Sequence, residues 1–149
     1  MTYNALRKGR VSEPSRAYFV TAVIRGRRPV FADLRIARLL VQEMRVLHHG
    51  GMVSSLAWVV MPDHLHWLFQ LGDNVALAKM IGLLKGRSGR LINQYLNQSG
   101  ALWQAAFHDH ALRKEEDLHE IARYIVANPL RAGLVESLAE YPHWDAVWL

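Results

Sequence analysis

Two histidines, His64 and His66, stand two positions apart in an otherwise apolar segment. Side chains alternate across a strand, so both imidazoles would point to one face, about 7 Å apart along the chain. Two imidazoles on one face can bind a divalent cation, or they can be half-buried histidines satisfied by neighbouring groups. The positions that alternate with them are apolar and predict the packed face: Leu65, Trp67, Phe69 and Leu71.

A tyrosine and an asparagine, Tyr124 and Asn128, stand four positions apart on a predicted helix. This spacing places them on one helical face, beside the apolar stripe that predicts the core contact and therefore at its rim. A tyrosine at a rim can present its hydroxyl to a ligand, or it can pack its ring and leave its oxygen in water. Asn128 precedes Pro129 and could instead cap a short turn that ends at Gly133.

A second His-x-His pair occurs at His108 and His110. Its middle residue, Asp109, is charged, so the opposite face is not an obvious packing face. We interpret this segment as a strand at the rim, near a substrate, rather than as a metal site.

The net charge of +5 is unevenly distributed along the chain. Residues 1–90 contain fourteen basic and five acidic residues, and only four of the eighteen basic residues of the chain are lysine. The guanidinium group can bind two phosphate oxygens at once, so an arginine-rich half favours nucleic acid, although a solvated basic surface is the simpler alternative. Three clusters predict contacts with a nucleic-acid backbone: Arg7, Lys8 and Arg10; Arg25, Arg27 and Arg28; Lys85, Arg87 and Arg90.

Several classes of protein are excluded by composition and motif. The chain has no cysteine, which excludes disulfides, iron–sulfur clusters and thiol catalysis. It also lacks a P-loop, a Rossmann glycine pattern and a Gly-x-Ser-x-Gly elbow. No apolar run approaches the ~20 residues of a membrane helix, and the first residues lack the apolar core of a signal peptide. We therefore expect a cytoplasmic protein with no membrane partner, and binding of nucleic acid by the basic half would place it at the nucleoid.

Hydrophobic periodicity predicts the order β-α-β-β-α-β-α. Pro62-Asp63 separates two apolar strands so closely that they should pair as an antiparallel hairpin. Asp33 should cap the first helix, and Gly50-Gly51 should end it. The strands are predicted at residues 18–24, 52–61, 64–71 and within 103–113, and the helices at 33–48, 75–97 and 115–127. This order predicts an α+β fold, with one antiparallel sheet and helices packed on it, over residues 17–149 after a basic arm at 1–16.

Two segments carry a resemblance to a known family: residues 59–66, Val-Val-Met-Pro-Asp-His-Leu-His, and residues 124–135, Tyr-Ile-Val-Ala-Asn-Pro-Leu-Arg-Ala-Gly-Leu-Val. Together they resemble the HUH single-strand transposases with one tyrosine, and more closely the REP-associated tyrosine transposases of bacterial repetitive extragenic palindromes. Further likeness lies in residues 7–10, 21–31, 107–110 with Arg113, and 141–144.

The resemblance implies a ferredoxin-like, RRM-like HUH sandwich and a specific chemistry. His64, His66 and Asn128 would hold Mg²⁺ or Mn²⁺, and Tyr124 would attack a phosphate of single-stranded DNA to form a 5′-phosphotyrosine link. The substrate would be a hairpin of a REP-like palindrome, with His110 and Arg113 added to the three basic clusters as DNA contacts. Trp103, Phe107 and Trp144 are the aromatic side chains that we expect to stack on unpaired bases.

Two other functions stay open from the sequence. One is a module of the same fold that binds palindromic DNA without cleaving it, and the other is a metal-dependent phosphodiesterase that uses water instead of Tyr124. The sequence also leaves a monomer and a homodimer open.

Overall fold

The computed structural model describes residues 16–112, 118–134 and 141–146, in which the predicted elements occur in the predicted order. Two short 3-10 turns, Arg25–Arg27 and Val30–Ala32, connect the first strand to the first helix. The elements are β1 (Ala17–Val23), α1 (Leu34–His49), β2 (Val53–Met61), β3 (His64–Leu71), α2 (Leu77–Leu96), β4 (His108–Ala111), α3 (Leu118–Val126), the single turn α4 (Asn128–Arg131) and β5 (Trp144–Ala146).

The five strands form one sheet in the order β4-β1-β3-β2-β5, and every neighbouring pair is antiparallel. The predicted hairpin is confirmed, because β2 and β3 pair and Met61 lies opposite His64 across the Pro62-Asp63 turn. β3 is the central strand, and its His66 lies opposite Thr21 of β1. The prediction of an α+β fold with helices on an antiparallel sheet is confirmed.

One face of the sheet, which we call the covered face, packs against α1 and α2. Leu65, Trp67 and Phe69 are completely buried there, as the alternation along β3 predicts. The indole nitrogen of Trp67 donates a hydrogen bond of 2.9 Å to the Ser55 hydroxyl, so burial leaves this polar group satisfied. The face therefore forms the larger of the two apolar clusters of the described residues.

The opposite face, which we call the open face, is partly covered by α3. Ala122, Ile125 and Val126 of this helix form a smaller apolar cluster with Leu68 of β3 and Val59 of β2. The two histidines of β3 project from this same face, beside Leu68, because they alternate with the residues of the covered face.

Both predicted ends of α1 are confirmed. The Asp33 carboxylate accepts a hydrogen bond of 2.8 Å from the backbone nitrogen of Arg35, which satisfies one of the donors that a helix N-terminus leaves unpaired. At the other end, Gly50 follows His49 as the C-cap, and its backbone nitrogen donates to the Val46 carbonyl.

The structure corrects one expectation and adds one element. Trp103 and Phe107 are buried in the cluster of the covered face, so the prediction that they stack on bases is wrong. The strand predicted within residues 103–113 is confirmed at His108–Ala111, whereas the sequence pattern does not predict β5. β5 has three residues, too few for an alternation to be visible in the sequence.

Candidate active site

The imidazoles of His64 and His66 converge on one point of the open face. Their ring centroids are 4.7 Å apart, and their Nε2 atoms are 3.2 Å apart. Both side chains are half-buried. The two Nε2 atoms are therefore much closer than the 7 Å spacing of the strand positions requires, because the rings lean toward each other.

The outer nitrogen of each ring has its own partner. His64 Nδ1 lies 2.6 Å from Asp63 Oδ1, and His66 Nδ1 lies 2.7 Å from the Thr21 hydroxyl oxygen. When each Nδ1–H donates to its oxygen, each Nε2 keeps a lone pair directed toward the shared point. Arg27 in turn donates to the other oxygen of Asp63 at 3.1 Å, which holds the carboxylate in place.

The electrostatics of this group favour a neutral histidine and a charged aspartate. Burial, followed by electrostatic interactions with His64 and Arg131, lowers the pKa of His66 from 6.5 to about 3. Burial tends to raise the pKa of Asp63, but hydrogen bonds and charge from His64 and Arg27 outweigh it and lower this pKa. At neutral pH His66 is therefore a neutral imidazole, and Asp63 is an acceptor.

The pair has the geometry of two neighbouring ligands of a hard divalent cation. In an octahedral site, ligand atoms about 2.1 Å from Mg²⁺ lie about 3 Å apart, which the 3.2 Å between the Nε2 atoms matches. No group of three His, Cys, Asp or Glu that could hold a metal ion occurs in the part of the chain that the structure describes. A cation at this pair would therefore need oxygen from another source, such as an amide, water or substrate.

Asn128 is the first residue of α4, directly after the helix that carries Tyr124. Its side-chain nitrogen is buried and has no hydrogen-bond partner among the described residues. Its side chain also makes no hydrogen bond to either histidine in these same stretches of chain. A buried amide nitrogen without a partner is uncommon, and as a donor it suits an acceptor oxygen, whereas only the amide oxygen could bind a cation.

Tyr124 lies on the same side of the sheet as the histidines. Its ring packs edge to face on Phe19 at 6.3 Å, and Phe19 packs in the same way on His66 at 5.5 Å. The side chain is 52% exposed, and its hydroxyl has no hydrogen-bond partner in residues 16–112, 118–134 and 141–146. An exposed phenol thus stands beside the convergent imidazoles, with one aromatic ring between them.

Arg131 belongs to this group, although the sequence analysis did not select it. Its guanidinium carbon lies 3.9 Å from the centre of the Tyr124 ring, and it donates a hydrogen bond of 2.6 Å to the Tyr124 carbonyl. The sequence carried no clear signal for this contact, because the predicted helix ended at residue 127, and Arg131 lies on the separate turn α4.

The turn after β1 presents Arg25, Arg27 and Arg28 to solvent. Arg27 pairs with Asp63 and so connects this turn to the histidine site, while Arg28 bonds to Gln98 at 3.3 Å. Gly26 and Arg27 have φ angles of +69° and +52°, so the turn uses the left-handed conformation at two successive residues.

The three basic residues of the predicted cluster on α2, Lys85, Arg87 and Arg90, differ in their contacts. Lys85 donates to the carbonyls of Gln104 and Ala106 at 2.8 and 2.9 Å, and Arg87 pairs with Glu43 at 2.7 Å. These two cations therefore hold neighbouring segments of the fold. Arg90, in contrast, is exposed.

The second histidine pair shares the open face. His108 lies opposite Thr21 and His110 lies opposite Phe19 in the β1–β4 ladder, and directly opposed residues project to the same side of a sheet. Both histidines are exposed. Arg7, Lys8, Arg10 and Arg113 lie outside the described residues.

Comparison with known proteins supplies the family. Residues 15–128 match the family described as transposase IS200 like. The REP-associated tyrosine transposase of Escherichia coli K12 is 26% identical over 136 residues, which cover 84% of this chain and 73% of the relative. A solved REP-associated tyrosine transposase bound to a REP hairpin superposes with a TM-score of 0.75 at 22% identity, covering 91% of this chain and 79% of that one.

The chain therefore belongs to the IS200-like transposase family, which defines a class of DNA-processing proteins. Within that class it is similar to the REP-associated tyrosine transposases. No helix in the described ranges has both the length and the apolar character needed to cross a bilayer.

Proposed function

We propose that this chain is a single-strand DNA endonuclease and strand-transferase that uses Tyr124 as its nucleophile. The observation that carries the proposal is the chain of ring contacts from Tyr124 through Phe19 to His66, which sets an exposed phenol beside the histidine pair. Membership of the IS200-like transposase family supports it. The REP hairpin bound by the similar solved transposase supports hairpin DNA as the substrate.

The proposed step exchanges one phosphate ester for another. The Tyr124 oxygen loses its proton and attacks the phosphorus, and the bond from phosphorus to the 3′ oxygen breaks. The 3′ oxygen takes up a proton and becomes a hydroxyl, while the 5′ phosphate stays on the tyrosine. Because the ester energy is kept in the phosphotyrosine, the reverse reaction on another 3′ hydroxyl needs no nucleotide cofactor.

His64, His66 and Asn128 are the residues that would hold Mg²⁺ or Mn²⁺. When bound there, the cation supplies Lewis-acid polarisation of the scissile phosphate and orientation of its oxygens. Asp63 and Thr21 support the binding by fixing the two rings with both Nε2 atoms toward one point. Neither imidazole ring needs to move for the Nε2 atoms of His64 and His66 to be available as ligands.

The basic residues that face solvent are the proposed contacts with the DNA backbone. Arg25, Arg28 and Arg90 are exposed, and His110 lies on the open face beside Phe19. Arg7, Lys8, Arg10 and Arg113 remain proposals from the sequence. Lys85 and Arg87 are weaker candidates, because contact with DNA would compete with their bonds to Gln104, Ala106 and Glu43.

The test is formation of a denaturation-resistant adduct between the protein and labelled hairpin oligonucleotides taken from extragenic repeats, with Mn²⁺ or Mg²⁺ present. The adduct should form with the native chain and disappear in Tyr124→Phe and His64→Ala. Tyr95→Phe is the matched control: Tyr95 is also exposed, its hydroxyl lies 3.4 Å from Asp33, and this change should leave the adduct intact.

Other outcomes would contradict the proposal and identify its replacement. Cleavage that survives Tyr124→Phe without any adduct would indicate a phosphodiesterase that uses water. Binding of the hairpin without cleavage by the native chain would indicate a DNA-binding module. An adduct that persists in Tyr124→Phe and disappears in Tyr95→Phe would indicate that the nucleophile is Tyr95 on α2.

A further inference from the structure

We propose that Arg131 binds the scissile phosphate and holds it against Tyr124, a role that rests on the proposed function. The first observation is position. The guanidinium lies 3.9 Å from the centre of the Tyr124 ring, and its hydrogen bond of 2.6 Å to the Tyr124 carbonyl holds the side chain folded back over the helix. The cation and the phenol therefore form one unit at the surface.

The second observation is that the phenol under this guanidinium lies beside the histidine pair. The Tyr124 ring packs on Phe19 at 6.3 Å, and Phe19 packs on His66 at 5.5 Å. A phosphate placed between Tyr124 and the histidines would therefore lie next to the ring on which Arg131 is stacked.

The third observation is the absence of an acidic partner. No carboxylate among the described residues pairs with Arg131, although Arg27 pairs with Asp63 and Arg87 pairs with Glu43. Arg131 is exposed, and only one of the five N–H donors of its guanidinium group is used by the Tyr124 carbonyl. The remaining donors suit two oxygens of a phosphodiester, which a guanidinium binds in a bidentate manner.

The consequence is stabilisation of charge as the tyrosyl ester forms. While the bond from the Tyr124 oxygen to phosphorus forms and the bond to the 3′ oxygen breaks, negative charge accumulates on the non-bridging oxygens. A guanidinium already stacked on the nucleophile provides fixed donors at that point without reorganisation. Arg131 would thus be a catalytic residue that contacts the reacting phosphate.

The first experiment compares single-turnover rates of adduct formation at saturating hairpin DNA and Mn²⁺. Arg131→Ala should lower the rate about 10²–10³-fold, as removal of one such donor does elsewhere, and millimolar guanidinium chloride should restore part of it. The rate of Arg131→Lys should lie between those of the native chain and Arg131→Ala, because lysine keeps the charge but lacks the planar guanidinium. Arg123→Ala removes an exposed arginine of α3 and should react close to the native rate.

Equal rates for Arg131→Ala and Arg123→Ala would overturn the proposal. So would an equal loss in Arg131→Lys and Arg131→Ala without guanidinium rescue, together with a lowered melting temperature, since that pattern indicates a purely structural role.

The second experiment does not depend on cleavage, so it separates failure of this proposal from failure of the proposed function. In a Tyr124→Phe background, a single neutral methylphosphonate is placed at each position of the strand in turn, and affinity is measured by fluorescence anisotropy. At one position, the methylphosphonate should weaken DNA binding by the protein that keeps Arg131. The same methylphosphonate should not change the affinity of the protein that carries Arg131→Ala. If no position shows this dependence on Arg131, the proposal is wrong, whether or not the native chain forms an adduct.

Discussion

The two faces of the sheet differ in how they are covered. α1 and α2, with 16 and 20 residues, bury most of the covered face, whereas nine described residues of α3 cover part of the open face. Leu65, Trp67 and Phe69 are buried on the covered face, and His64 and His66 are half-buried on the open face. The same strand therefore contributes to the core with one set of side chains and to the site with the other.

This difference explains where chemistry can occur. A half-buried imidazole is desolvated enough to stay neutral, as the lowered pKa of His66 shows, and still accessible to a substrate. The covered face offers no such access, but it makes the strand rigid. Side chains that bind a substrate need a rigid support, and β3 provides it because its other face is packed.

The largest expected effect concerns stability and tests the difference between the faces directly. Leu65 and Leu68 are both fully buried on β3, on opposite faces. Leu65→Ala should lower the free energy of unfolding by about 4–5 kcal/mol and Leu68→Ala by about 2–3 kcal/mol, because the thinner layer can collapse into the cavity. Urea denaturation of both variants measures this. Equal losses would show that α3 packs as densely as α1 and α2.

A smaller effect is expected for the group that orients His66. Thr21→Val removes the hydroxyl at 2.7 Å from Nδ1 and should weaken Mn²⁺ binding about 10–100-fold, as loss of such an outer-shell partner does. Isothermal titration calorimetry measures this binding without DNA. Thr21→Ser keeps the hydroxyl and serves as the control. Unchanged affinity in Thr21→Val would contradict the role given to this hydroxyl.

The smallest effect concerns a histidine beside the covered face. Burial, followed by the charge of Arg38 on α1, lowers the pKa of His143 below 6.5. The folded state disfavours protonation of His143. The neutral imidazole therefore contributes fully to the free energy of unfolding above pH 6.5, and this contribution is lost as the pH falls toward the pKa of the folded state. Between pH 7.5 and 5, the melting temperature should therefore fall more steeply with decreasing pH for the native chain than for His143→Gln. An equal dependence of melting temperature on pH in both proteins would contradict the lowered pKa of His143.

Much of the fold follows from local signals. The alternation along β3 predicted which side chains are buried, and Pro62-Asp63 predicted the hairpin, because both signals act between near neighbours in the chain. Asp33 predicted the start of α1 for the same reason. Predictions failed where a segment is short or tertiary packing decides, as with β5 and with Trp103, whose aromatic side chain is buried against Ser88 instead of facing a base.

The sequence by itself determined the types of residue at the site and the helix or strand face on which each lies. The spacing of His64 with His66 sets directions within one strand, and that of Tyr124 with Asn128 predicted a shared helical face, although Asn128 begins the next helical turn. Only the tertiary structure decided that Thr21 and Asp63 orient the two rings, that Arg131 stacks on Tyr124 and that Lys85 holds a neighbouring loop. The contacts of Thr21 with His66 and of Lys85 with Gln104 join residues far apart in the chain. All four contacts depend on side-chain placement, which local periodicity does not encode.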